Sequence, residues 1–216
     1  MNKPLFVLIT LICLATMPGF CINQMEELFW INGVQPYGNF GQGLAALDFN
    51  GDGYDDLAVL HNGWQPDSLS NQPELKYGRI LIYYGGPGFD STPDFVIEGT
   101  YHWQFYQGGN SGYLVNMGDI NNDGFEDLGV RGFTDSSVSW GVPYIAIYYG
   151  SANPAPQPGY YRPFPNTHSD CSVEIEPLGD INNDGIDDFC YSYSESVDYD
   201  EPSRIAIILG GSMTEI

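Results

Sequence analysis

The chain has 216 residues, 28 of them Asp or Glu and only 6 Lys or Arg, for a formal net charge of −22. That acidic excess repels phosphate and excludes nucleic acid as a partner. With 43% hydrophobic and 15% aromatic residues the chain can still bury a core, which separates it from acidic disordered tails.

Residues 1–21 read as a secretory signal. Lys3 supplies the charge, Leu5 to Ala15 the apolar stretch, and Pro18-Gly19 the break; Gly19 and Cys21 are small enough for cleavage after Cys21. The stretch is too short for a membrane span. No transmembrane segment is expected once the signal is removed, and the expected location is secreted, periplasmic or cell surface.

Next come three copies of a nine-residue acidic loop, starting 71 and 61 residues apart: Asp48 to Asp56, Asp119 to Asp127 and Asp180 to Asp188. Each has Asp at positions 1, 5 and 9, Asn at 3 and Gly at 6. Oxygen side chains at this spacing suit a hard cation. Calcium is expected, because it takes about six to eight oxygens in flexible geometry. The ligand set is Asp48, Asn50, Asp52 and Asp56 with the Tyr54 carbonyl; Asp119, Asn121, Asp123 and Asp127 with that of Phe125; and Asp180, Asn182, Asp184 and Asp188 with that of Ile186. About three ions are expected, one per loop. The acidic residue at position 8 (Asp55, Glu126, Asp187) is read as facing solvent. One such stretch alone would be an ordinary turn; threefold repetition is what favours metal. Twelve of the 28 acidic residues lie in these loops.

The loops are not EF-hands. Position 12 should be Glu, and here it is Val59, Val130 and Tyr191. The residues that follow, Leu57 to Leu60, Leu128 to Val130 and Phe189 to Tyr193, are short, apolar and without helical period, so they read as strands. The absence of a helix after each loop also argues against a dockerin-like module. The cation loop is therefore expected to be the tip of a β-hairpin.

Strands are also expected before each loop (43–47, 112–117, 172–178) and after it (79–84, 144–149, 204–209), the latter apolar enough for burial on both faces. Outer strands are expected at 94–98 and 160–164. Four antiparallel strands in about 60 residues describe a propeller blade. The expected class is all-β, with about three blades at 37–99, 108–165 and 170–216 inside a domain of residues 22–216. Glu27 to Ile31 reads as the outer strand of a preceding blade, and the third unit is expected to lack its own. Propellers have about four to eight blades, so the chain is expected to be part of a larger one.

These residues resemble the FG-GAP repeat of integrin α-subunit β-propellers and of secreted bacterial proteins. Phe40-Gly41 stands at the FG position, Gly118 to Gly124 and Gly179 to Gly185 follow the calcium loop, and Ile82-Tyr83-Tyr84-Gly85 and Ile147-Tyr148-Tyr149-Gly150 follow the later strand. The GAP tripeptide is replaced, in the first copy by His61-Asn62-Gly63. The resemblance implies a calcium-stiffened propeller used for adhesion or ligand binding.

Cys171 and Cys190 flank the third loop and are expected to form a disulfide, as suits an oxidising compartment. No catalytic constellation stands out. Gly109 to Gly112 lacks the spacing of a nucleophile elbow, and His168-Ser169-Asp170 would point to alternate faces of a strand. Aromatic residues such as Trp64, Trp140 and the run Tyr101 to Tyr106 read as core filling ahead of binding. Segments 61–78 and 131–143 are the candidate ligand face. The expected function is a non-enzymatic, calcium-binding adhesion or recognition module for an extracellular protein or carbohydrate. The alternative is the non-catalytic scaffold of a polysaccharide lyase or hydrolase whose active site lies elsewhere.

Overall fold

Each acidic loop joins two antiparallel strands. In the computed structural model Leu47, at the end of β1 (Phe40–Leu47), faces Asp56, at the start of β2 (Asp56–His61), and residues 48–55 form the hairpin tip. The same hairpin recurs with β5 (Leu114–Asn116) and β6 (Leu128–Phe133), and with β9 (Glu174–Gly179) and β10 (Asp188–Tyr193). The structure describes residues 29–33, 35, 38–67, 75–102, 104–105, 113–134, 141–164, 173–193, 203–211 and 214–215. Chain contacts divide into two units, Met1–Trp30 and Ile31–Ile216. In the first, only Phe29 and Trp30 are described, and both are exposed; the expected signal segment lies outside the described residues.

In the second unit each hairpin is extended by β3 (Arg79–Tyr83), β7 (Pro143–Tyr148) or β11 (Arg204–Leu209), then by β4 (Phe95–Glu98), β8 (Tyr160–Pro163) or β12 (Thr214–Glu215). The result is three four-stranded antiparallel sheets in simple meander order, the architecture of propeller blades. No α-helix occurs among the described residues.

Two expectations are corrected here. The third unit does have an outer strand: β12 pairs with β11, Leu209 opposite Thr214. Its two residues are too short and polar to show as a strand in sequence. Phe29, Trp30 and Ile31 are not in a strand, while residues 27 and 28 lie outside the described set.

Alternation along the strands divides the apolar side chains between faces. Ala58, Leu60, Ile80 and Ile82 of the first sheet pack with Leu128, Val130, Tyr144 and Tyr148 of the second. The opposite face of the second sheet, Ile145 and Ile147, packs with Ile175, Phe189, Tyr191 and Ile208 of the third. The middle sheet is covered on both faces, so every residue of β7 is buried. Fully burying a side chain of this size contributes about 1.5–3 kcal/mol, which makes the two inter-sheet cores the main source of stability. By contrast, β11 is covered on one face only, so the expectation of two buried faces fails for this strand. Polar contacts reinforce the second interface: Arg131 Nη1 donates to Val173 O and Glu174 Oε1, each at 2.7 Å, and Tyr113 Oη donates to Glu176 Oε1 at 2.6 Å.

Candidate metal centre

The three hairpin tips have the same internal hydrogen bonds. In the first, the position 1 carboxylate of Asp48 accepts from Asp52 N (3.0 Å) and Gly53 N (2.9 Å), and Asn50 Oδ1 accepts from Asp52 N (2.9 Å). Asp52 Oδ1 accepts from Tyr54 N at 3.0 Å. The second tip repeats this with Asp119, Asn121 and Asp123, the third with Asp180, Asn182 and Asp184. The bend passes through the left-handed region at position 6 (Gly53, Gly124, Gly185; φ 88°, 89°, 90°), where a Cβ would be strained. It does so again at position 4, occupied by Gly51, Asn122 and Asn183. Asn tolerates that region better than other side chains, so the Gly or Asn at position 4 is itself a sequence signal of the bend.

The structure thus gathers positions 1, 3 and 5 around one turn. Their oxygens are hard donors, and each carboxylate oxygen accepting one N–H retains acceptor capacity. Asp52, Asp123 and Asp184 are exposed. Position 9 is placed differently. Asp56, Asp127 and Asp188 are buried. Asp56 Oδ2 accepts from Phe49 N and Asn50 N at 3.0 and 3.2 Å, and its Oδ1 from Gly85 N at 2.8 Å. Asp127 accepts from Ile120 N (3.2 Å) and Gly150 N (2.9 Å), and Asp188 from Ile181 N (3.0 Å) and Gly210 N (2.8 Å). This carboxylate ties the loop to the residue just after the third strand. Among the described residues, no three His, Cys, Asp or Glu side chains converge as a cation cage; the third acid of each loop accepts backbone amides from beyond the loop. Burial raises the pKa of Asp56 and pushes that of Asp127 up to about 7, against the lowering effect of the amide hydrogen bonds.

Position 7 is uneven: Tyr54 is exposed, whereas the Phe125 ring lies against Gly51 of the preceding loop, where a Cβ would stand 2.4 Å from the ring. Position 8 is corrected. Asp55 is exposed as expected, but Glu126 Oε2 accepts Asp48 N at 2.7 Å and Asp187 Oδ2 accepts Asp119 N at 3.0 Å. Two of the three acids therefore clamp the preceding loop instead of facing water. Nothing in a single loop reveals this, because the partner lies 78 or 68 residues away.

Of the candidate ligand face, at the other end of the strands, residues 68–74 and 135–140 lie outside the described residues, as do Trp103, Tyr106 and Trp140. Trp64 is buried, with the Arg79 guanidinium 5.1 Å from its ring, and Phe105 is buried in the first core. Both fill space, as read from the sequence. His61 and Asn62 are fully buried beside them; Asn62 donates to Gln42 Oε1, and neither His61 ring nitrogen has a hydrogen-bond partner among the described residues. Cys190 is a half-buried free thiol on β10, opposite Glu176; its expected partner, Cys171, lies outside the described residues. No helix among the described residues is long and apolar enough to cross a membrane.

Residues 40–59, which span β1, the first acidic tip and the start of β2, match the FG-GAP repeat family. The chain carries an FG-GAP repeat. Integrin alpha-5 of Xenopus laevis is 26% identical over 123 residues, 57% of this chain and 11% of the relative. Integrin alpha-PS2 of Drosophila melanogaster is 32% identical over 133 residues, 59% of this chain and 9% of the relative. Human phosphatidylinositol-glycan-specific phospholipase D is 37% identical over 100 residues, 45% of this chain and 11% of the relative. The aligned stretch is thus about a tenth of each relative. Within the matched residues Gly41, with φ of 84°, sits at the bulge between Phe40 and Leu44 in the β1–β2 pairing.

Proposed function

We propose that this chain is an exported, cation-stabilised propeller segment that recognises an extracellular protein or carbohydrate and is not itself an enzyme. The observation that carries this reading is the threefold loop with one hydrogen-bond pattern: a turn that sets two carboxylates and an amide oxygen on a shared bend in every repeat. Calcium would be held by Asp48, Asn50 and Asp52 and their counterparts Asp119, Asn121, Asp123 and Asp180, Asn182, Asp184. The position 7 carbonyls would complete the set, and Asp56, Asp127 and Asp188 would act through their remaining acceptor capacity. A bound ion supplies positive charge to crowded carboxylates, and so couples metal binding to folding. Export follows from the signal-like residues 1–21. The ligand face would be the 61–78 and 131–143 segments, held by rigid sheets at the end away from the ions.

Calorimetric titration with calcium tests the metal reading; no heat and no change in melting on chelation reject it. Recognition is tested by probing arrays of extracellular proteins and glycans with the calcium-loaded chain. The phospholipase D relative favours a second reading, that the repeats scaffold an enzyme whose chemistry lies outside this chain. Absence of binding to every array ligand, with calcium retained, supports that second reading.

A further inference from the structure

Asn50 is followed by Gly51, and only the first acidic loop has that pair; the second and third read Asn121-Asn122 and Asn182-Asn183. The three position 3 carboxamides are otherwise held alike. Asn50 Oδ1 accepts from Asp52 N at 2.9 Å, and Asn50 Nδ2 donates to Asp52 Oδ2 at 3.1 Å. Asn121 makes the same two bonds with Asp123, at 3.0 and 2.9 Å, and Asn182 with Asp184, both at 2.9 Å. A side-chain oxygen bonded to the amide two residues on folds the carboxamide back along the intervening peptide. In the first loop the nitrogen of that peptide is Gly51 N, which has no hydrogen-bond partner among the described residues.

Gly51 is exposed and carries no Cβ to hinder approach. The packing of the repeats keeps it bare, because a Cβ there would stand 2.4 Å from the Phe125 ring of the next loop. The chain has two other Asn-Gly pairs, Asn32-Gly33 and Asn62-Gly63. Asn62 is completely buried, and Gly63 N is engaged with Gly38 O at 2.8 Å. Asn32 is exposed, and no hydrogen bond among the described residues folds its carboxamide. Exposure alone does not set Asn50 apart, since Asn182 is the more exposed of the two. The bare glycine nitrogen beside a folded-back carboxamide does.

We propose that Asn50 is a site of spontaneous deamidation, through a cyclic imide with Gly51, while the matching Asn121 and Asn182 stay intact. Hydroxide takes the Gly51 amide proton, and the nitrogen attacks Asn50 Cγ. Negative charge develops on Oδ1, where Asp52 N–H already donates. The Cγ–Nδ2 bond breaks, and ammonia leaves with a proton taken back from water. A water molecule then opens the imide at either carbonyl, giving aspartate or isoaspartate at position 50. The net change is one water consumed and one ammonium released, which balances the new carboxylate; nothing is oxidised. The first loop gains a negative charge beside Asp48 and Asp52, and isoaspartate also lengthens its backbone by one carbon. None of these steps involves a cation.

The test is incubation of the intact chain in chelator at neutral pH and physiological temperature. Peptide mapping by mass spectrometry reads the one-dalton gain at each asparagine. Asn50 is expected to react at least about tenfold faster than Asn121 or Asn182, because only its neighbour lacks a side chain. Asn62 should stay unreacted. Asn122→Gly, which suits the φ of 60° at that position, should make Asn121 about as reactive as Asn50 and leave the first loop unchanged. A rate at Asn50 no greater than at Asn121, or no rise at Asn121 in the Asn122→Gly chain, would overturn the proposal. So would equal rates at Asn50 and Asn62, because both would then be reacting from the unfolded chain.

Discussion

Asp127 Oδ1 accepts the amide hydrogen of Gly150 at 2.9 Å across 23 residues of chain, and the carboxylate making this bond is completely buried. Gly150 must come close for this: a Cβ there would stand 2.3 Å from Glu126 O. The pattern holds at Asp56 with Gly85 and at Asp188 with Gly210. The position 9 acid is thus a strut between the hairpin and the third strand, whatever it contributes to a cation.

Asp127→Ala leaves the Ile120 and Gly150 amides without their acceptor, each at a cost of about 1–3 kcal/mol. Removing a buried charge offsets part of that, so the expected net loss is about 2–4 kcal/mol by urea unfolding in chelator. Asp127→Asn keeps a neutral acceptor and should lose less. Asp123→Ala, at the exposed position 5, should cost under about 1 kcal/mol in chelator. Equal losses for Asp127→Ala and Asp123→Ala would contradict the strut.

With calcium the order of importance changes. Titration should give about three sites, and Asp123→Ala or Asp184→Ala should each remove one and leave the others nearly intact. At a free concentration ten times its dissociation constant, each site adds about 1.4 kcal/mol to stability. A stoichiometry unchanged in both variants would refute the assignment of these carboxylates.

His61 gives the fold a dependence on acid. Burial, and then the nearby charges of Arg79 and Lys76, lower its pKa from 6.5 to about 4. The folded state therefore holds the ring neutral. Its contribution is fully present above about pH 6.5 and is lost as pH falls towards 4, by at most about 1.4 kcal/mol per pH unit. His61→Gln removes this limb. The stability difference between wild type and variant, measured by urea midpoints from pH 7.5 to 4, should shrink as pH falls; a constant difference would show that His61 takes no part.

Ile120 and Ile181 occupy the same loop position, and only Ile120 is buried. Ile120→Ala should cost about 2–4 kcal/mol, as for a core cavity. Ile181→Ala should stay within about 0.5 kcal/mol. Thermal or urea unfolding of the two variants side by side makes the comparison, and similar losses would mean that Ile181 is covered in solution.

The sequence by itself determined the hairpins, the meander and the all-β class. These rest on local rules: turn residues at fixed offsets, β-branched runs such as Ile145-Ala146-Ile147, and a Gly where the bend needs positive φ. It also placed oxygens at positions 1, 3 and 5, because side chains two residues apart on one turn converge through local hydrogen bonds. What only the tertiary structure decided were the partners supplied from far along the chain. Asp56 and Asp127 stand at loop position 9 in the sequence, and only the fold shows that distant glycine amides donate to them. Glu126 and Asp187 look solvent-facing, yet a loop some 70 residues earlier holds them. Ile145 and Ile205 are alike in sequence, and only the stacking of sheets makes one core and the other surface. Periodicity records which face of a strand a residue occupies; it carries no information about what lies against that face.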